Sequence, residues 1–305
     1  MSKNNVTVLM STFNGDRYLR EQIDSILEQE DVNVNLIVRD DGSTDNTISV
    51  LNDYSNRDLL KWYSGENLGP ANSFFNLLKS SPESDYYAFS DQDDVWKKEK
   101  LKKAISEIKK LNNELPILYT ANYTLVDRNL KKINLNINHV TTTTFANSIV
   151  YSCCTGCTMV FNKKLRNLIR KYKKPQKVYM HDDWIHKVCL AVGGKVIFDK
   201  SPVLFYRQHG DNVDGGIHSF HDKLYKVMTD RKNNDGLMSS QFKDLLNIYG
   251  EMMTNENKEL LVKALREGKG NFMQRMLLAF NKKLRIKSNV KLNNEFRISL
   301  LLNYW

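Results

Sequence analysis

Cysteine is scarce, with four residues in a chain of 305. Three of them, Cys153, Cys154 and Cys157, sit too close together to staple distant segments. A secreted disulfide scaffold is therefore excluded, and a reducing cytoplasm is the expected setting. Cys154 and Cys157 have the spacing of half a zinc site, but no second pair follows, so they read as small core residues. No apolar run reaches the roughly 18 residues that would cross a bilayer. The opening "MSKNNVTVLMSTFNG" lacks the apolar core of a signal peptide. Near the start there is no glycine-rich, basic loop of the kind that cradles phosphates, which argues against nucleotidyl transfer. Positive charge, by contrast, is abundant. The formal net charge is +10, which points to an anionic partner: nucleic acid, a membrane surface or a phosphorylated small molecule. The length allows one large domain or two.

Short β-branched runs alternate with helical patterns. "VTVLM" (6–10), "VNLIVRD" (34–40), "LLKWYS" (59–64) and "DYYAFS" (85–90) read as strands. Between them, 15–29 places Tyr18, Leu19, Ile23, Ile26 and Leu27 on one helical face. Residues 43–54 start with Ser and Thr in capping positions, and 69–80 is a helix with Pro near its first turn. This alternation predicts right-handed crossovers and an α/β, Rossmann-like, mainly parallel sheet flanked by helices. Ligands of such sheets bind beyond the carboxyl ends of the strands. "STFNG", "DDGSTD", "ENLG" and "DQDD" follow the four strands in turn, so all four segments should meet along one edge.

"DQDD" puts Asp91, Asp93 and Asp94 at the end of an apolar strand. One aspartate would cap the lysine-rich helix expected over 95–111. Three are more than capping needs, and their repulsion is costly without a cation. Carboxylates one residue apart at a strand end suit a hard divalent cation, Mg²⁺ or Mn²⁺. Such a cation can bridge a diphosphate and stabilise it as it departs.

With these segments in this order, residues 5–215 resemble glycosyltransferase family 2, the large group with the GT-A fold. "SDQDDVW", "HDDW" (181–184) and "YRQHGDN" (206–212) are most similar to its bacterial rhamnosyltransferase-like branch. The resemblance implies an inverting, metal-dependent transfer of a sugar, rhamnose first, from dTDP-rhamnose or a UDP-sugar. The acceptor would be a saccharide or a lipid-linked molecule in cell-surface polysaccharide synthesis. It also implies roles. Thr12 and Asn14 would border the nucleotide, and Asp40 or Asp41 would accept from the base N3–H. Asn67 and Gly69 would lie near ribose and base, with Asp91 by the ribose. Asp93 would hold the metal, with Asp91 and His209 as further ligands and Asp94 behind. Gly156 and Trp184 would border the sugar and acceptor pocket. Asp182 would be the base, with Asp183 in reserve, and "HD" replaces the more usual "ED", leaving the role of His181 open.

The expected division is a nucleotide-sugar half (about 1–115), an acceptor half (about 116–217) and a basic helical region (218–305). Helices are expected near 218–232, 237–253, 256–267, 270–285 and 293–303. From residue 221 onward there are 16 Lys and Arg against 9 Asp and Glu, and no acid falls between 268 and 294. "NFMQRMLLAFNKKLRIK" aligns Phe272, Met273, Met276, Leu277, Phe280 and Leu284 on one face, with Arg275, Lys282 and Lys283 off it. A basic amphipathic helix of this type lies on an anionic membrane, or packs on the catalytic domain or a second subunit. Peripheral attachment at the inner face of the cell membrane is consistent with the former. Two rival classes are weaker. A nucleic-acid-binding protein would not put its acids in the strand-end crevice. An inactive sugar-binding scaffold would need none of Asp93, Asp182 and His209.

Overall fold

A computed structural model describes residues 3–134, 140–172, 174–176, 178–209, 237–303 and 305. The first part alternates as the periodicity predicts: β1 (Asn4–Thr12), α1 (Asp16–Leu27), β2 (Val32–Asp40), α2 (Thr47–Ser55), β3 (Lys61–Ser64), α3 (Pro70–Ser80) and β4 (Tyr86–Ser90). Then follow β5 (Val95–Trp96), α4 (Lys100–Ile108), β6 (Ile117–Val126), α5 (Phe145–Val150), a 3-10 turn at Gly156–Thr158, β7 (Val160–Asn162), α6 (Lys163–Lys171), α7 (His181–Ala191) and β8 (Lys195–Arg207). The C-terminal region contributes α8 (Leu237–Tyr249), α9 (Asn255–Gly268), α10 (Phe272–Ala279), a 3-10 turn at Lys282–Leu284, and α11 (Val290–Leu301).

The described strands form one sheet of order β3-β2-β1-β4-β7-β6-β8-β5. The β3-β2-β1-β4 half is parallel throughout. The second half is mixed: β7 runs antiparallel to β4 and β6, and β5 antiparallel to β8, while β6 and β8 are parallel. Successive side chains of a strand point to opposite faces, and the core divides accordingly. Val6, Val8, Met10 and Ala88 pack beneath α1, α2 and α4. Leu9, Tyr87, Phe89 and Phe161 pack beneath α3, α6 and α7.

Three local expectations are corrected. The helix expected over 95–111 starts only at Lys100, because Val95 and Trp96 pair with Phe205 and Leu204 along the sheet edge. α2 starts at Thr47 rather than at residue 43, because the Ser43 amide and hydroxyl both donate to Asp40. On α1, Leu19, Ile23 and Ile26 are fully buried as expected, but the Tyr18 ring instead lies under the Arg207 guanidinium.

The C-terminal helices share the sheet's second core. Phe242, Leu245, Tyr249, Leu261, Leu278, Leu300 and Trp305 join one apolar cluster with Trp184 and Val188 of α7. The boundary expected at 217 and the helix expected at 218–232 lie outside the described residues.

Candidate active site

Parallel register lines up the strand ends. Thr12 pairs with Asp40, Asp40 with Ser64, and Met10 with Ser90. The four polar turns therefore open side by side, where the polarity of a parallel sheet puts its ligand crevice.

On the β2 side, the Asp40 carboxylate accepts from the Gly42 amide (3.1 Å), the Ser43 amide (3.0 Å), the Ser43 hydroxyl (2.5 Å) and the Ser64 hydroxyl (3.0 Å). Gly42, at φ 85°, makes that tight turn without a Cβ penalty. Asp41 forms a buried ion pair with Arg39 and accepts from the Leu68 and Gly69 amides at 3.1 and 2.9 Å. The Gly69 amide also donates to Asn67 Oδ1 at 3.0 Å. Asn14 Oδ1 accepts from the Thr44 amide at 2.8 Å, closing the rim between the first two turns. Thr12, Asn14, Asp40, Asp41, Asn67 and Gly69 thus share one hydrogen-bonded border. Protein donors occupy both Asp40 oxygens and Asp41 Oδ2, whereas Asp41 Oδ1, which faces Arg39, is buried without a hydrogen-bond partner.

The β4 turn carries the acids. Gln92, between Asp91 and Asp93, accepts from the Thr12 hydroxyl (2.6 Å) and the Phe13 amide (2.9 Å), and donates to the Phe13 carbonyl (3.1 Å). It staples this turn to the β1 turn. Nothing in the residue pattern marks it, because Gln92 reads there as a spacer between acids. Arg207, buried at the end of β8, donates to the Asp93 carbonyl (2.8 Å) and the Arg128 carbonyl (2.6 Å) and pairs with Glu21. Its amide donates to Asp94 at 3.2 Å. Lys100 is fully buried, donates to the Cys157 carbonyl at 2.5 Å and sits 3.0 Å from the centre of the Trp96 ring. Arg207 carries a signal that sequence reading missed, a cation closing the apolar run "VLFYR".

His209 Nε2 lies 2.7 Å from Asp93 Oδ2, and its ring packs against Tyr18 at 5.0 Å. Oxygens of Asp91 and Asp94 and the Cys157 sulfur lie within 4.8 Å of one another. Burial first, then repulsion from Asp93 and Asp182, pushes Asp91 up to about 7, against the pull of Lys100. Burial, then Asp93 and Asp91, pushes Asp94 well above the usual carboxylate range. Asp94 Oδ2 is buried without a hydrogen-bond partner. Crowded carboxylates beside an imidazole are a donor set that a divalent cation satisfies. The residues present therefore fit one, with Asp93 and His209 as the converging pair and Asp91 beside them.

Across the crevice, α7 begins with His181, Asp182 and Asp183, and the two acids differ. Asp183 pairs with buried Lys187 at 2.6 and 2.7 Å and accepts from Gln241 at 2.6 Å. Asp182 is half-buried and accepts from the Gly156 and Asp183 amides at 2.9 and 2.7 Å. His181 stacks on Phe74 at 4.0 Å, and burial lowers its pKa to about 3, so the ring is neutral. A Cβ on Gly156 would meet His181 Nε2 at 2.8 Å, which explains a glycine there. Trp184, two positions along α7, is 1% exposed and packs on Tyr249, and with it borders a crevice of about 540 Å³ that Leu68 and Asn72 also line. The cysteines are all free thiols, and both His186 nitrogens, near Cys153 and Cys154, are occupied by Ser152 and the Thr142 carbonyl.

Known proteins are similar to this chain in sequence and in fold. The dTDP-rhamnosyl transferase RfbG of Shigella flexneri is 29% identical over 233 residues, spanning 72% of this chain and 78% of RfbG. Several other curated relatives are matched over less than two thirds of their own length. Residues 1–349 of S. aureus TarS, solved with UDP-GlcNAc, superpose with a TM-score of 0.55 at 16% identity, over 98% of this chain and 91% of that one. The mannosyltransferase PcManGT of Pyrobaculum calidifontis, solved with GDP-Man and Mn²⁺, gives 0.56 at 16% identity, over 99% and 88%. At such identities these two structures speak for the fold, which is GT-A. A model of the family described as Glycosyl transferase family 2 matches residues 7–169. That segment runs from β1 past the aspartate turn and into α6, more than half of the chain, so the chain belongs to glycosyl transferase family 2 and is a glycosyltransferase.

Proposed function

We propose that the protein moves a hexosyl group, rhamnose first, from a nucleoside diphosphate to a hydroxyl of a saccharide or lipid-linked acceptor, with inversion, in cell-surface polysaccharide synthesis. The observation that carries this reading is the meeting of two acidic groups in one crevice. The Asp91–Asp94 turn suits a cation-bridged diphosphate, and Asp182 is near enough to raise the pKa of Asp91. Rhamnose and a dTDP donor are supported by the name of RfbG, and UDP- or GDP-linked donors by the complexes of the two structural neighbours. The working division is a donor half to about residue 115, an acceptor half to about 217, and a helical region that holds the enzyme at an anionic cytoplasmic membrane face.

The border of Thr12, Asn14, Asp40, Asp41, Asn67 and Gly69 receives the nucleotide. Asp182 takes the proton of the acceptor hydroxyl, which requires an approach of about 3 Å. The hydroxyl oxygen attacks the anomeric carbon as the bond to the diphosphate oxygen breaks, so the configuration inverts. Asp93, His209 and Asp91 would hold Mg²⁺ or Mn²⁺, which would supply positive charge against the departing diphosphate. Asp183 keeps the α7 turn in place through Lys187 and Gln241.

Calorimetric titration with dTDP, UDP and GDP in the presence of Mg²⁺ tests the donor class. We expect dTDP and UDP to bind and GDP to bind far more weakly. Preferred binding of GDP would overturn the assignment of the Asp40–Asp41 turn to a pyrimidine base.

A further inference from the structure

Helix α10 is apolar nearly all round, and the core takes only part of it. Leu278 and Ala279 are buried, whereas Phe272, Met273, Leu277 and Phe280 are 58%, 58%, 61% and 59% exposed. Successive residues lie about 100° apart on a helix, so these four share one side. Val290, at the start of α11, is 66% exposed. Single exposed apolar residues are ordinary, but a contiguous apolar face marks an interaction surface.

Cations lie beside this face. A crevice of about 180 Å³ between α10 and α11 is lined by Phe280, Asn281, Lys282, Arg285, Asn293 and Arg297 among others, with no carboxylate. Arg297 is held there, with its guanidinium 4.8 Å from the centre of the Phe280 ring and a hydrogen bond to the Ala279 carbonyl. Lys282, Arg285 and Lys287 form no ion pair among the described residues, whereas Lys283 reaches Glu256 at 3.2 Å. The sequence from 268 to 294 supplies no acid.

We propose that this surface is a docking site for an anionic phospholipid bilayer. Phe272, Met273, Leu277 and Phe280 enter the interface, and the crevice lined by Lys282, Arg285 and Arg297 takes a headgroup phosphate. Apolar residues rimmed by unpaired cations are complementary to acyl chains beneath anionic headgroups. A second copy of the chain fits less well. A two-fold contact places each patch on itself, and this acid-free stretch would face its own cations. The site is tied to the catalytic side: the Asn147 amide group of α5 donates to the Arg285 carbonyl at 3.3 Å, and α5 packs against α7, which carries Asp182. This deepens the membrane placement proposed above, but lipid binding is read without any sugar transfer.

Co-sedimentation of the full chain with phosphatidylcholine vesicles, with and without phosphatidylglycerol, tests it. Wild type should bind the anionic vesicles, less so at high salt, and should not bind pure phosphatidylcholine. Lys282→Gln with Arg285→Gln should lower partitioning on the order of tenfold or more, at about five-fold per charge removed. Leu277→Asp with Phe280→Asp should abolish it on the same vesicles, with an unchanged melting temperature showing that the fold survives. Absence of wild-type binding, or equal binding by all three proteins, overturns the proposal. So does a soluble dimer that the aspartate variant dissociates while wild type ignores vesicles. Loss of transfer to a soluble acceptor with vesicle binding intact would count against the transfer reading alone.

Discussion

Two aspartate groups face each other in the crevice and meet opposite fates. At the start of α7, Asp183 is matched by a buried lysine four residues on, and by Gln241 from the C-terminal region. In the turn after β4, Asp91 and Asp94 crowd Asp93, with Lys100 below them turned to a carbonyl and a tryptophan ring. A charge already neutralised by the fold is a structural element. A group of like charges raised against one another is relieved by protons or by a cation, and the proposed divalent cation is assigned to this turn for that reason.

The largest effect is expected at Asp93. Asp93→Asn should nearly abolish transfer while leaving the melting temperature within a few degrees, and EDTA should do the same to wild type. Full activity in EDTA would end the cation reading. The next largest effect separates the α7 neighbours. Asp182→Asn should reduce turnover by about 10²–10⁴ with nucleotide affinity unchanged. Asp183→Asn should instead cost about 3–5 kcal/mol of folding stability, because it leaves Lys187 buried and unpaired. If Asp183→Asn is dead but stable, and Asp182→Asn turns over normally, the roles are reversed. The smallest effect should come from Gln92→Ala. Losing its bonds to Thr12 and Phe13 should weaken nucleotide binding by about 1–3 kcal/mol, measured by titration, with little change in the turnover of bound donor. An unchanged affinity would mean that the β1 turn holds its shape without this staple.

Much of the β1–β4 edge was legible in the sequence. A parallel sheet obeys a local rule: apolar strand, polar turn, amphipathic helix. Four repeats of that rule put Thr12, Asp40, Asn67 and Asp91 on one edge, and the register confirms that edge. Less visible was what each side chain does there. Asp183 and Lys187 stand four apart, a spacing that marks a helical ion pair and could have separated Asp182 from its neighbour. Gln92 had no such mark, since its partners lie about 80 residues away. Trp184 sits beside the α7 acids in sequence but packs on Tyr249, and sequence proximity does not reveal such a partner.

The sequence by itself determined the alternating elements, the family and the clustering of acids at strand ends, because these rest on periodicity and on turns of a few residues. The tertiary structure decided which charges are neutralised and which surfaces stay open. Arg207 finds Asp93 across 114 residues, Gln241 finds Asp183 across 58, and α10 buries Leu278 while leaving Leu277 in solvent. These outcomes depend on which distant segment arrives at a given face, and the local sequence does not encode that choice.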